Sequence, residues 1–406
     1  MDMIFDCLRL SYVLEGVCVT MRSTIVILAI MTLGLGFPTK TSDQKDIECV
    51  DIYKQVAFSH DLLQNHKLQK RPSEVPKSTG VKKRSKLKTL EAQVSKANCP
   101  EGMIPTWKDQ IDGSNKSTVP VRTSSSTDQY SSRHEHAVGI TYSPPEMYGT
   151  EATISVWDPN VEQQDEFSLA QIWITSGTYE KNNLNTIEVG WQVSPNMYQD
   201  NKPRLFIYWT SDTYVTGCYN LQCPGFIQTS DNIIIGGTIA PVSEFDANQF
   251  EITISVWKDR KTGNWWLSLG SNHSLVGYWP AELFSNLIYA DQVQWGGEVV
   301  DSHTSGRQTM TDMGSGHFPD EGFGKVGYFR NLEIVDSNNI LQPVQHVEVK
   351  ATNPEFYSIA NMSRDDDWGT CLFYGGPGFP GMHSGVASLV LSSFFLYFSF
   401  IIFLII

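Results

Sequence analysis

A succession of short apolar and aromatic runs, separated by Gly, Pro, Asn and Asp, begins near His134 and constrains the fold more than any other feature. In the run 250–257 the residues at 250, 252, 254 and 256 are apolar, whereas those at 251, 253 and 255 are polar. This period of two is typical of a half-buried β-strand. Other runs of strand length occupy 152–157, 170–175, 187–193, 204–210 and 265–269.

Helical stretches of a dozen residues hardly appear between these runs. Because parallel strands need long crossovers that are usually helical, the pattern predicts an all-β, antiparallel β-sandwich. The part of the chain before His134 differs: 47–69 is mixed and amphipathic, 71–88 is basic and contains Pro, and 116–132 is rich in Ser and Thr. We expect a small segment of α/β or mixed structure there, followed by a linker.

The charge is acidic overall and unevenly distributed. The formal net charge of −14 argues against a nucleic-acid partner, because a phosphate backbone requires a basic surface. A basic cluster nevertheless lies at Lys82, Lys83, Arg84, Lys86 and Lys88. We hypothesise that this cluster docks on the acidic remainder of the chain and is released by acid; a flexible linker is the alternative.

Each end of the chain carries an apolar run. Met21 and Arg22 precede the apolar run 25–37, as in a signal peptide, so residues 1–20 are interpreted as an extension from an upstream start codon. Sequons at Asn115, Asn272 and Asn361 agree with a secreted glycoprotein. The tail 386–406 carries no charge and is long enough to cross a bilayer. A removed GPI signal, a tail anchor and a mis-spliced exon are its three interpretations.

Seven cysteines are present, of which Cys7 and Cys18 precede or lie in the targeting region. Pairing is plausible between Cys218 and Cys223, which would close a short loop, and between Cys49 and Cys99, leaving Cys371 over. Zinc-type CxxC repeats are absent from the sequence.

The motif His134-Glu135-His136 is a candidate metal site. Its side chains alternate in a strand and a third ligand is not evident. We therefore predict no metal and no cofactor.

Two segments have mirrored polar patterns: Glu-x-Gly-x-Gln in 187–193 and Gln-x-Gly-x-Glu in 293–299. As strands, each places its Glu, Gly and Gln on one face. If the two strands paired antiparallel with Gly190 facing Gly296, Glu188 would face Glu298 and Gln192 would face Gln294. The glycines would then leave room for a substrate backbone.

Two carboxylates held that close cannot both ionise cheaply, so one remains an acid and the other a base. Such a pair suits water-mediated amide hydrolysis in acid, with Gln192 and Gln294 as supporting donors to the oxyanion. The plainer interpretation is that Glu and Gln occupy an exposed strand face because they face water. From the pattern alone, that interpretation is favoured.

The order of several motifs resembles the plant neprosin family: Gln171-Ile172-Trp173-Ile174, the Glu188 strand, 203–212, Gly217-Cys218-Tyr219-Asn220, Asn264-Trp265-Trp266, Gly277-Tyr278-Trp279-Pro280 and 294–299. The resemblance implies a β-sandwich glutamic peptidase that cleaves after proline in acid, with Glu188 and Glu298 as its catalytic pair. It also implies a removable activation peptide, and it supports the disulfides Cys49–Cys99 and Cys218–Cys223. A departure is Phe356, where the family tends to place a cysteine, which would leave Cys371 without a partner.

We therefore expect a signal peptide at 21–41, an activation peptide and linker at 42–130, a catalytic domain at 131–383 and an apolar tail at 384–406. The expected partners are proline-containing peptides or proteins and the chain's own activation peptide, with a membrane only if the tail is retained. A secreted location is expected, with the vacuole as the alternative. Two other functions remain: a glycan-active or glycan-binding sandwich, since paired glutamates also cleave glycosides, and a catalytically silent surface protein.

Overall fold

The computed structural model describes residues 46–78, 89–108, 133–303, 307–362 and 368–379. Strands dominate it, which confirms the predicted all-β sandwich. The helices are short: the α-helix α1 (Pro195–Tyr198) and 3-10 helices at Val56–Ser59, Asp61–Leu63, Ala281–Leu283 and Pro319–Glu321. The predicted signal peptide, the basic cluster, Asn115 and the apolar tail lie outside the described residues.

Five strands lie in the segment before the sandwich: β1 (Ile47–Asp51), β2 (Lys77–Ser78), β3 (Thr89–Glu91), β4 (Gln93–Val94) and β5 (Met103–Trp107). The sandwich begins with β6 (Arg133–Thr141), β7 (Gly149–Ser155), β8 (Phe167–Ser176), β9 (Asn185–Val193), β10 (Arg204–Thr210), β11 (Gly217–Tyr219), β12 (Ile227–Gln228) and β13 (Ile239–Ala240). It continues with β14 (Gln249–Lys258), β15 (Trp265–Leu269), β16 (Ser274–Trp279), β17 (Gln292–Asp301), β18 (Gly327–Val335), β19 (Ile340–Pro343), β20 (Glu348–Ala351), β21 (Ser358–Asn361) and β22 (Leu372–Gly375).

Two sheets form the sandwich. Sheet A has seven strands in the order β11-β10-β9-β8-β17-β6-β20. Sheet B has eleven, with the main order β12-β16-β15-β14-β7-β18-β19-β2 and with β3, β21 and β22 attached to it. The strands from β6 to β22 pair antiparallel with one another, whereas β2 and β3 of the preceding segment pair parallel with strands of sheet B.

The core lies between the sheets and follows the period of two. In β9, Ile187, Val189, Trp191 and Val193 are buried in it, and in β14 the core side chains are Ile252, Ile254 and Val256. The indole N–H of Trp191 donates to the Ser155 carbonyl of sheet B at 2.8 Å. Both strands thus bury the face that the alternation predicted, so the polar residues of β9 point away from the core.

The N-terminal segment, meaning residues 46–78 and 89–108, is mixed in structure and packs on the outer face of sheet B. There Ala57 lies in a second apolar cluster with Trp257, Trp266 and Tyr278. The Gln55 side chain exchanges hydrogen bonds with the Gln228 backbone, and Asp259 accepts from the Gln69 side chain and the Ser73 N–H.

The structure contains the disulfides Cys49–Cys99 and Cys218–Cys223, while Cys371 is buried and belongs to neither of them. The first ties together the two ends of the N-terminal segment. Disulfides of this kind are typical of extracellular or secreted proteins. In the part of the chain that the structure describes, no helix is long and apolar enough to cross a membrane.

Candidate active site

The candidate site is the face of sheet A that points away from the core. Three rows of side chains cross this face from β10 to β6: Tyr208-Glu188-Trp173-Gln294-Ile140, Phe206-Gly190-Gln171-Gly296-Val138 and Arg204-Gln192-Leu169-Glu298-His136. Both glutamates therefore lie on one face, together with both glutamines.

The predicted direct pairing of the two glutamate strands is wrong, because β8 lies between β9 and β17. Since both strands run antiparallel to β8, they run parallel to each other. Gly190 and Gly296 do share a row, but with Gln171 between them. Glu188 and Glu298 are therefore diagonal across Gln171, and their strands are about 10 Å apart, two strand spacings.

The same insertion changes the partners of the two glutamines. Gln192 lies in the row of Glu298 and Gln294 in the row of Glu188, so the two do not face each other. Gln192 is fully buried, and neither of its amide atoms has a hydrogen-bond partner among the described residues. Gln294 is partly exposed.

Gln171 occupies the centre of the face, and sequence reasoning missed its role. Its Nε2 donates to Glu298 Oε2 at 3.3 Å, while its buried Oε1 has no partner among the described residues. Buried polar atoms are nearly always satisfied, so such an atom indicates a place for a water or a ligand. In 167–176 a period of two places Gln171 on the face opposite Ala170, Ile172 and Ile174, which is the signal that could have found it.

Gly190 and Gly296 were expected to leave room for a substrate backbone, but in the structure each lies close to the backbone of a neighbouring strand. A Cβ at Gly190 would lie 1.9 Å from the Ala170 carbonyl oxygen, and one at Gly296 would lie 2.1 Å from that of Ala137. Each glycine therefore permits close approach of the neighbouring backbone. Gly190 thus lets β9 lie close to β8, and Gly296 lets β17 lie close to β6.

Glu298 is fully buried and is flanked by two histidines of β6. His134 Nδ1 lies 2.6 Å from its Oε1, and His136 Nε2 lies 3.7 Å from its Oε2. Residues two apart in a strand share a face, so both rings point to the same carboxylate. The His-Glu-His motif thus contributes to the glutamate site, while Glu135 points to the other side and accepts from Gln308 and Thr352.

Glu188 is also fully buried, and its Oε1 accepts hydrogen bonds from two hydroxyls. The Tyr214 hydroxyl donates at 2.7 Å and the Thr186 hydroxyl at 3.0 Å. Tyr214 comes from the connection between β10 and β11, which the sequence did not single out. A third apolar cluster, separate from the core and from the cluster of Ala57, lines this face with Trp173, Tyr208 and Tyr219, so the buried carboxylates lie among aromatic rings.

One cluster elsewhere has the composition of a metal site: Glu166, Asp301 and His303 bring ligand atoms within 4.8 Å of one another. Glu166 Oε2 accepts from the hydroxyls of Thr309 and Thr311. Because protein donors already satisfy it, the cluster does not require an ion. Of the other predicted sites, Asn272 and Asn361 are exposed in the turn between β15 and β16 and at the end of β21.

Two family descriptions match the sequence: "Neprosin" over residues 164–377 and "Neprosin activation peptide" over residues 39–171. The first spans more than half of the chain. The protein belongs to the neprosin family. It is accordingly a glutamic-type peptidase, and the N-terminal segment on sheet B is part of a neprosin activation peptide.

Solved structures with a related shape include scytalido-glutamic peptidase bound to a peptide-based transition-state analogue. The two chains are 11% identical with a TM-score of 0.33, over 61% of this chain and 98% of that one. SCP-B, a member of the eqolisin family of peptidases in complex with the tripeptide Ala-Ile-His, has a TM-score of 0.31 at 11% identity, over 60% and 97%. At such TM-scores the functional conclusion rests on the neprosin match.

Proposed function

We propose that this neprosin is a secreted proenzyme that hydrolyses peptide bonds on the C-terminal side of proline in acid, with Glu188 and Glu298 as its acid–base pair. The observation that carries the proposal is the arrangement of two fully buried carboxylates on one face, on either side of Gln171. Buried carboxylates with separate hydrogen-bond partners are typical of acid–base sites.

The spacing favours a water between the groups. The two strands are about 10 Å apart, which leaves space above Gln171 for a peptide bond and an attacking water. Gln171 Nε2 already donates to Glu298, so its Oε1 is oriented by that bond and accepts from the water or from a substrate N–H. Gln192 offers a further amide in the row of Glu298.

The partners of the two glutamates favour different roles. In acid a histidine beside a carboxylate is a cationic donor, and such a donor stabilises the ionised form most strongly. His134 would therefore keep Glu298 ionised as the general base. Oε1 of Glu188 accepts from two hydroxyls, and neutral donors of this kind stabilise an ionised carboxylate less, so Glu188 would be the general acid that protonates the departing nitrogen.

Maturation is proposed to remove the activation peptide. Its described residues are held to sheet B by strand pairing of β3 with β14 and by the hydrogen bonds to Asp259. The basic cluster between β2 and β3 remains a candidate for acid-dependent release.

The proline preference is tested by digesting a peptide library with the matured protein at acidic pH and locating each cut by mass spectrometry. We expect cuts after proline and none in matched peptides that carry alanine there. Cuts without a preference for proline would refute the specificity. Cleavage of cell-wall glycans without peptide cleavage would favour the glycan-active alternative.

A further inference from the structure

The connection between β10 and β11 has an unusual backbone. Thr213 and Tyr214, neither of them glycine, have φ angles of +60° and +65°. Left-handed conformations at non-glycine residues cost about 1–3 kcal/mol each and persist only where the surroundings enforce them. Such residues cluster at active sites, ligand clamps and switch regions.

Hydrogen bonds enforce this conformation. The Tyr214 N–H donates to Thr210 Oγ1 at 3.0 Å, and the Thr213 N–H donates to the Leu184 carbonyl at 2.9 Å. The Leu184 N–H in turn donates to Thr213 Oγ1. Asp212 accepts from both the N–H and the hydroxyl of Thr216, which closes the turn.

Stacked rings fix the side chain of Tyr214. It lies between Tyr179 and Tyr208, with ring centroids 6.0 and 5.9 Å away and interplanar angles of 22° and 19°. Tyr208 is the cross-strand neighbour of Glu188. The Tyr214 side chain is therefore buried with one defined direction, and its hydroxyl lies 2.7 Å from Glu188 Oε1.

We propose that Tyr214 is a positioning residue: the strained turn 210–217 and the tyrosine stack deliver its hydroxyl to Glu188 and so fix the place and the ionisation of that carboxylate. This inference rests on the proposed catalytic function of Glu188. A merely structural tyrosine would need a partner for its hydroxyl, but it would not alter the ionisation of a catalytic group.

The test replaces Tyr214 by phenylalanine, which keeps the ring and deletes the hydroxyl. A donated hydrogen bond stabilises the ionised carboxylate, so its loss lets Glu188 keep its proton to higher pH. We expect kcat to fall by about tenfold or more, KM to change by less than about twofold, and the limb of the pH–rate profile that reports Glu188 to move up by about one pH unit.

Tyr328→Phe is the matched control, because the Tyr328 hydroxyl donates to buried Glu251 of sheet B at 2.8 Å. This variant should lower the melting temperature and leave kcat and the pH profile unchanged. Thr186→Val removes the other hydroxyl donor to Glu188 without altering the turn, and it should move the same limb in the same direction by a smaller amount.

A Tyr214→Phe enzyme with the wild-type kcat and pH profile would overturn the inference, as would equal changes in the Tyr214 and Tyr328 variants. If Tyr214→Phe yields no folded protein, an unmoved profile in Thr186→Val overturns it instead. Failure of the proposed function would give a different result, because Glu188→Gln would then retain activity. An inactive Glu188→Gln enzyme, together with a Tyr214→Phe enzyme that behaves like the wild type, would contradict only the role of Tyr214.

Discussion

Replacing His134 by phenylalanine removes the nitrogen that lies 2.6 Å from Glu298 Oε1 and keeps a ring of similar size. Glu298 is fully buried, so water cannot fully replace the lost donor. If His134 keeps Glu298 ionised as the base, the variant should bind substrate normally and turn it over slowly.

The size of the effect follows from the contact. A hydrogen bond to a charged group contributes about 1.5–3 kcal/mol. The His134 side chain is 27% exposed, so solvent recovers part of this and the lower end applies. A loss of about 1.5–2 kcal/mol in the transition state lowers kcat by about 10- to 30-fold.

The assay measures kcat and KM on a proline-containing peptide in acid, with the melting temperature as a check of folding. His317→Phe is the matched control, because His317 Nδ1 lies 2.9 Å from Glu321 Oε1 in a half-exposed pair that does not include either site glutamate. This control should turn over like the wild type. A His134→Phe enzyme with the wild-type kcat, or one that loses activity only because it unfolds, would show that His134 does not keep Glu298 ionised as the base.

Three further predictions concern the centre of the site, the activation peptide and sheet B. Gln171→Met removes the amide between the glutamates and should lower kcat by at least about tenfold without lowering the melting temperature by more than about 4 °C; an unchanged kcat would contradict it. Burial raises the pKa of Asp259, but the hydrogen bonds from Ser73 and Gln69 outweigh it and the pKa lies below its usual value. Ionised Asp259 therefore stabilises the proenzyme at pH values above the ordinary pKa of an aspartate, and this stabilisation is lost as the pH falls through the lowered pKa. Asp259→Asn should reduce the melting temperature at about pH 7 and much less at about pH 2. Equal reductions at both pH values would contradict this prediction. Arg330→Met leaves buried Glu251 without its cation, and chemical denaturation should show a loss of about 3 kcal/mol, whereas a loss below about 1 kcal/mol would show that Tyr328 and Thr89 suffice.

The alternation of the sequence predicted which side chains of the glutamate strands share a face, and the structure has them so. It did not predict which strands are neighbours, because a period of two describes a strand and not its partners. The position of β8 between β9 and β17 was therefore not predicted. The central place of Gln171, which lies on β8, was missed for the same reason, although a polar residue within this apolar run could be seen in the sequence.

The contacts of Glu188 and Glu298 were harder to predict for different reasons. His134 and His136 share a face through the same alternation, but their target lies about 160 residues further along the chain, and only sheet order brings it near. Tyr214 comes from a turn whose left-handed backbone is enforced by contacts with Leu184 and Thr210. Nothing in the local sequence Thr-Tyr requires that conformation.

The sequence also did not predict that the N-terminal segment packs on sheet B. Its mixed composition predicted a small folded unit, and the structure shows short strands and 3-10 helices. Its attachment depends on contacts between segments far apart in the chain, such as the pairing of β3 with β14 and the hydrogen bond from Gln69 to Asp259.

The most direct measurement of the central claim is the turnover of a proline-containing peptide in acid by matured wild type, Glu188→Gln and Glu298→Gln. Glu135→Gln provides the control, since Glu135 is buried on the strand of the two histidines but bonds to Gln308 and Thr352 on its other side. Each site variant should lose at least about a thousandfold in kcat, while Glu135→Gln should retain turnover. Turnover within about tenfold of wild type in either site variant would contradict it.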